Sequence, residues 1–399
     1  LWQPESGLLA MKGAITSSRG ADTLIQDARG TLVLQGPLNF TAAAPGLQVR
    51  NGTAVVGLAA GAAVTNTTRL TLGNSQAITD VRLDEDRQSA TVVVRGKPTG
   101  ASQVTFSGIT VNPEASMARI VVDPNGGAGT TLAFGPGWTM PFTMRTSGLH
   151  VDLSRPGAEV SMPFAQYKNG SLNYSVIVPS FTVRDATGTT GFAVTNATGG
   201  LARNTALTEF HSGGAVTAGA SYVVTGDASI PGGRQFWALS ARGSGALTLE
   251  SYAVINGLVM EEGSGDFTVS GGATARLGMG STHTFYIHQH SLAGSLVYDC
   301  LMLGEYMKMG PGKLILKRAT ESTSLNESVL RVIEGEVEVQ GVLPDATRIH
   351  RVFGGGTLSG SGRIASSVTV HPGGTLDGSH VSPNAMPLGA ALTLKRGPS

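Results

Sequence analysis

Apolar residues recur two apart in short runs along almost the whole chain, and Gly, Pro or Asn interrupts them at roughly six- to sixteen-residue intervals. Thr31-Leu-Val-Leu34, Thr91-Val-Val-Val94, Ile120-Val-Val122 and Thr131-Leu-Ala-Phe134 show the pattern early; Tyr222-Val-Val224, Leu247-Thr-Leu249, Thr284-Phe-Tyr-Ile287 and Val337-Glu-Val339 show it later. A period of two places alternate side chains on opposite faces, so each run predicts a short strand. Apolar residues three and four apart are rarely sustained beyond two turns without a glycine, and the expected class is all-β.

Two architectures fit such a series: a sandwich or barrel of hairpins, or a right-handed parallel β-helix (β-solenoid) in which each lap adds a rung. Asn51-Gly52, Asn169-Gly170 and Asn256-Gly257 carry the tight-hairpin signature. Most other junctions are longer Gly/Ser/Thr corners, which favours stacked laps.

The texture is uniform except in 135–195, which holds Pro136, Trp138, Pro141, Pro156, Pro163 and Pro179. This segment reads as an inserted loop or small lateral β elaboration between N-terminal rungs in 1–134 and C-terminal rungs in 196–399. Trp138, Tyr167 and Tyr174, with Phe142 and Phe164, would form either a surface- or carbohydrate-binding platform or the elaboration's own core.

Composition narrows the function classes. Glycine contributes 56 of 399 residues and charged residues only 14%, against about 25% in ordinary globular chains. The formal net charge of +1 gives no field to attract nucleic acid or anionic lipid. Cys300 is the single cysteine, which excludes an internal disulfide framework. No window approaches the ~20 apolar residues of a membrane helix, and the alternating strands of a translocator barrel are missing.

Met309-Gly-Pro-Gly-Lys-Leu-Ile-Leu316 followed by Val329-Leu-Arg-Val-Ile-Glu-Gly-Glu-Val-Glu-Val339 resembles the autotransporter-associated β-strand repeat. Gly310, Gly312, Leu314, Leu316, Val332, Gly335, Val337 and Val339 fall on its pattern. Gly355, Leu358, Gly360, Gly362, Ile364, Val368, Val370, Gly373, Gly374 and Leu376 match the run that follows it in such proteins, so the likeness covers 309–378. Lys317 to Ser328 departs from the repeat's usual middle, being more charged and lacking its Tyr-x-Gly. The resemblance implies a right-handed parallel β-helix, secreted by a Gram-negative bacterium and displayed on the cell surface or released.

Candidate chemistry is sparse. His288 and His290, two apart on a strand, project to one face and are the weak metal candidates; without a third ligand, solvent-facing histidines are the favoured reading. Asp84-Glu-Asp86 and Glu261-Glu262 are the dense acid clusters, and adjacent strand positions face opposite ways, so no catalytic dyad is legible. Glu334, Glu336 and Glu338 would line one outer face, as a solubility or edge-blocking device more often than a calcium site, with Lys313, Lys317, Arg318 and Arg331 available to offset them. No cofactor is expected, with calcium at these glutamates the alternative left open.

A stack of laps has an open edge at each end, and neither Leu1–Gly30 nor Ser382–Ser399 reads as a long amphipathic capping helix. The expectation is a non-enzymatic extracellular structural protein whose partner is itself, joined end to end or by terminal-strand exchange in a surface fibre or matrix. A monomeric adhesin passenger binding carbohydrate or a host surface is the alternative; a polysaccharide-active enzyme is the third class.

Overall fold

The computed structural model describes residues 7–17, 23–27, 30–40, 45–57, 63–66, 68–73, 90–112, 117–139, 148–162, 168–169, 172–173, 178–196, 198–217, 219–278, 284–318, 329–343, 349–364, 367–371, 373–377 and 392–394. Among them the chain is all-β and its sheets are mostly parallel. Contacts group into two compact units, one formed chiefly by Leu1–Gln166 and Ser180–Arg203, the other chiefly by Tyr167–Pro179 and Asn204–Gly397.

In the first unit the chain alternates between two main sheets. One takes Leu8–Met11, Thr31–Leu34, Gly52–Gly57, Ala90–Arg95, Met117–Asp123, Gly148–Asp152 and Phe181–Arg184 as consecutive parallel neighbours. The other takes Leu24–Gln26, Pro45–Val49, Arg69–Leu72, Ala101–Val111, Gly129–Thr139 and Ala158–Ser161. Strands within 135–195 thus extend the same sheets. After Phe181–Arg184 the pairing reverses, and Thr190–Thr195 and Leu201–Arg203 add as an antiparallel meander.

Register explains the core. Leu9, Leu32, Ala54, Val92, Ile120, Val151 and Val183 pair in one continuous row. From Leu32 onward every member is buried, because the period of two keeps aliphatic residues on the inner face. Each such leucine, isoleucine or valine stabilises the fold by about 1.5–3 kcal/mol.

The second unit repeats the construction. One sheet includes Ser221–Val224, Arg234–Ala241, Tyr252–Met260, Thr284–Gln289, Glu305–Met309, Leu330–Val332, His350–Val352, Val368–Val370 and Leu392–Leu394. Its companion runs Ala228–Ile230, Gly245–Leu249, Phe267–Gly271, Leu296–Asp299, Lys313–Leu316, Gly335–Val339, Gly356–Ser359 and Thr375–Leu376. All pairings between neighbours in these two series are parallel.

The Asn-Gly pairs divide three ways. Only Lys168–Asn169 and Leu172–Asn173 form a hairpin. At Asn51 the side chain accepts the Gly52 N–H at 2.8 Å and the chain turns a corner into a parallel strand. Asn256-Gly257 lies inside Tyr252–Met260, where strand pairing on both sides overrides the local turn preference.

Candidate functional site

The densest buried polar chemistry lies in the second unit. Phe285 and Ile287 of Thr284–Gln289 enter the apolar core, leaving Tyr286 and His288 on the opposite face. His288 is fully buried there, and its Nε2 lies 2.8 Å from the Pro179 carbonyl, an acceptor that places the ring proton on Nε2. Burial pushes its pKa down to about 4. The solvent-facing reading of His288 and His290 is therefore corrected, because this outer face is itself covered; Val178 and Pro179 are buried in the same unit. The two rings share a face as expected, 6.3 Å apart and nearly parallel at 9°. Among the described residues no three His, Cys, Asp or Glu side chains gather to hold a metal ion.

One strand later, Glu305 and Arg331 form a buried ion pair at 2.8 Å. Arg331 is therefore held by Glu305, whereas Glu336 and Glu338 are bridged by Lys313. Lys308, at an inward position of the same strand, is fully buried and donates through Nζ to the carbonyls of Gly310 (2.7 Å) and Glu334 (2.8 Å). Burial lowers its pKa to about 7. Sequence reading passed over Lys308; the signal was its spacing of two from Tyr306, which puts an amine on the core side.

Inside that core, Tyr298 Oη donates to the Leu277 carbonyl at 2.6 Å, and the Tyr306 hydroxyl reaches the same carbonyl. Cys300 is buried beside them, its thiol pushed up to about 12 by desolvation, so thiolate chemistry is suppressed.

Leu314, Leu316, Val332, Val337, Val339, Leu358, Ile364, Val368 and Val370 are buried, and Leu376 packs against the same cluster. Gly310 and Gly335 turn corners at φ +82° and +70°, where a side chain would be strained. A Cβ on Gly335 would also stand 2.5 Å from the Gly310 carbonyl oxygen. Lys313 pairs with Glu336 in register and bridges Glu336 (3.2 Å) and Glu338 (2.6 Å), the cross-strand compensation expected of it. Arg318 instead meets Asp299 at 3.5 Å.

A second feature belongs to the first unit. Leu8–Met11 and Leu24–Gln26 are the terminal members of their sheets among the described residues. Leu8 is 67% exposed, and a cleft of about 360 Å³ opens among Leu9, Met11, Leu24, Ile25 and Leu32.

Of the remaining expectations, Glu261 is buried and held bidentate by Arg242 (2.9 Å to each oxygen), with Ser240 donating at 2.7 Å, so it is a structural acceptor. Tyr167, Tyr174, Phe142, Phe164 and Asp84 to Asp86 lie outside the described residues, and Trp138 is described only as a strand position beside Ile109. No protein-family model matches the chain, and neither curated proteins nor solved structures give a match.

Proposed function

We propose that the chain is an extracellular structural protein whose units are right-handed parallel β-helices, and that copies of it join through the first lap to build a bacterial surface fibre or matrix. The observation that carries this reading is that lap. Among the described residues, Leu8–Met11 and Leu24–Gln26 are the outermost strands of two sheets and present backbone donors and acceptors along their far edges, with half-buried Leu9, Met11, Leu24 and Ile25 around an apolar cleft. Such an edge is completed by further strands of the same polarity, which a second copy supplies. The repeat-like 309–378 run supports the secreted location, and a core of in-register aliphatic rows supports a load-bearing role over a catalytic one.

Light scattering and negative-stain electron microscopy of this chain across a concentration series test the proposal. Oligomers or filaments that disperse on Leu9→Lys or Met11→Lys are expected. Monomers at every concentration, or assemblies indifferent to both substitutions, would overturn it.

A further inference from the structure

The inner row Leu258, Ile287, Lys308, Val332, Val352, Val370 is aliphatic at every position but one. All six residues are buried, Lys308 completely. Its amine leaves this row at a corner where two laps meet. Gly310 ends the strand that carries it, and Glu334 and Gly335 open Gly335–Val339 in the next lap. Nζ donates to one carbonyl from each lap, Gly310 and Glu334. Among the described residues no carboxylate reaches ion-pair distance of Nζ.

An amine so placed has two acceptors, which a neutral –NH₂ satisfies with both its protons. A full ammonium charge there would be desolvated with no carboxylate in contact, a cost that Glu334 and Glu336 at longer range only partly offset. The charged and titratable groups around it are His288 on the preceding strand and Glu334 and Glu336 on the following lap. Glu305, on the outer side of the same strand as Lys308, and Arg331, on the outer side of the next, are occupied with each other.

We propose that Lys308 is a pH-responsive staple between successive laps: neutral, it closes the Gly310–Gly335 corner, and charged, it loosens that corner. The proposal is independent of how copies assemble. The sign follows from linkage. With its pKa at about 7 in the fold and at the ordinary lysine value when the corner opens, the open form binds more protons across the interval between them. Closure therefore strengthens as pH rises through that interval, and below about 7 the full cost is in place.

Hydrogen exchange at 308–312 and 333–337, corrected for intrinsic rates, reads this directly. Protection should rise more than about tenfold from pH 6.5 to pH 9 in the native chain, and Lys308→Met should abolish that rise. An unchanged pH dependence in the variant, or none in the native chain, overturns the proposal. Should Lys308→Met not fold, the Cε resonance of Lys308 in the isotope-labelled native chain decides: titration near neutrality supports the staple, and titration at an ordinary lysine pKa overturns it.

Discussion

In the first unit, Ala90–Arg95 alternates buried with half-exposed or exposed residues, whereas in the second, Thr284–Gln289, also six residues long, is buried at every position. Both strands sit in the middle of parallel sheets and both send aliphatic or aromatic residues inward. What differs is the outer face. Outward rows of the first unit start small and uncharged, Thr31, Thr53 and Thr91 in one and Val33, Val55, Val93 and Val121 in the next, and reach Arg119, buried His150 and Asp152 only in the later strands. The second unit buries His288, Glu305 and Arg331 on its outward side, so each polar group there requires a protein partner in place of water. One-sided burial tolerates a lost polar contact; two-sided burial does not.

Removing one partner of an ion pair is the harshest way to break this contrast. Glu305→Ala strands the Arg331 guanidinium in a site where the pair is only 9% and 8% exposed, and should cost about 3–5 kcal/mol. The matched change in the first unit, Asp27→Ala, frees Arg50 at a position 30% exposed and should cost at most about 1 kcal/mol. Urea unfolding followed segment by segment through hydrogen exchange checks both; equal costs would erase the distinction.

Acid should act next most strongly, and on the second unit. His288 and His350 are held near pKa 4 by burial, below the unfolded histidine value of 6.5. The unfolded chain then binds more protons between those values, so the stability they confer is present above pH 6.5 and is lost as pH falls towards 4. The loss should reach about 2–3 kcal/mol per histidine at pH 4. His350 accepts the Leu330 N–H at 3.0 Å through Nδ1. His350→Gln retains an acceptor without the titration and should flatten its share of the pH profile; an unaltered profile would count against the assignment.

Within the first unit, neighbouring valines sharpen the comparison. Val92 belongs to the buried inner row and Val93 to the outer one. Val92→Ala should cost about 2 kcal/mol, and Val93→Ala less than about 0.5 kcal/mol, by denaturant midpoints at constant slope. Similar costs would mean that the outer row is covered too.

Most of the strand positions and the parallel preference were legible from alternation and glycine spacing, since register acts on every residue of a strand at once. Burial of the second unit's outer face was not. Thr284-Phe-Tyr-Ile-His-Gln reads as a one-sided strand because Pro179, which meets its outer face, lies more than a hundred residues earlier, and no local period encodes a contact of that range. The Lys308 staple was hidden for a related reason. A lysine in an alternating strand ordinarily faces water, and only the carbonyls of Gly310 and Glu334 make the inward position tolerable. Lys313 was legible because its partners Glu336 and Glu338 stand in the adjacent strand at matching phase.

That last cluster provides the smallest and most discriminating test. Lys313 bridges Glu336 and Glu338 while about a third exposed, and the two carboxylates raise its pKa through hydrogen bonds and charge. Water and salt screen such a bridge, so Lys313→Ala should cost only about 0.2–1 kcal/mol. The sign of its salt dependence carries the information. In the native chain added salt weakens the bridge; in the variant it screens the repulsion between Glu336 and Glu338 that Lys313 no longer offsets. Stability of the variant relative to the native chain should therefore recover as sodium chloride rises from 0.05 to 0.5 M. A cost that grew or stayed fixed with salt would show that Lys313 acts through packing of its aliphatic stem, and that this face, like the neighbouring one, is effectively dry.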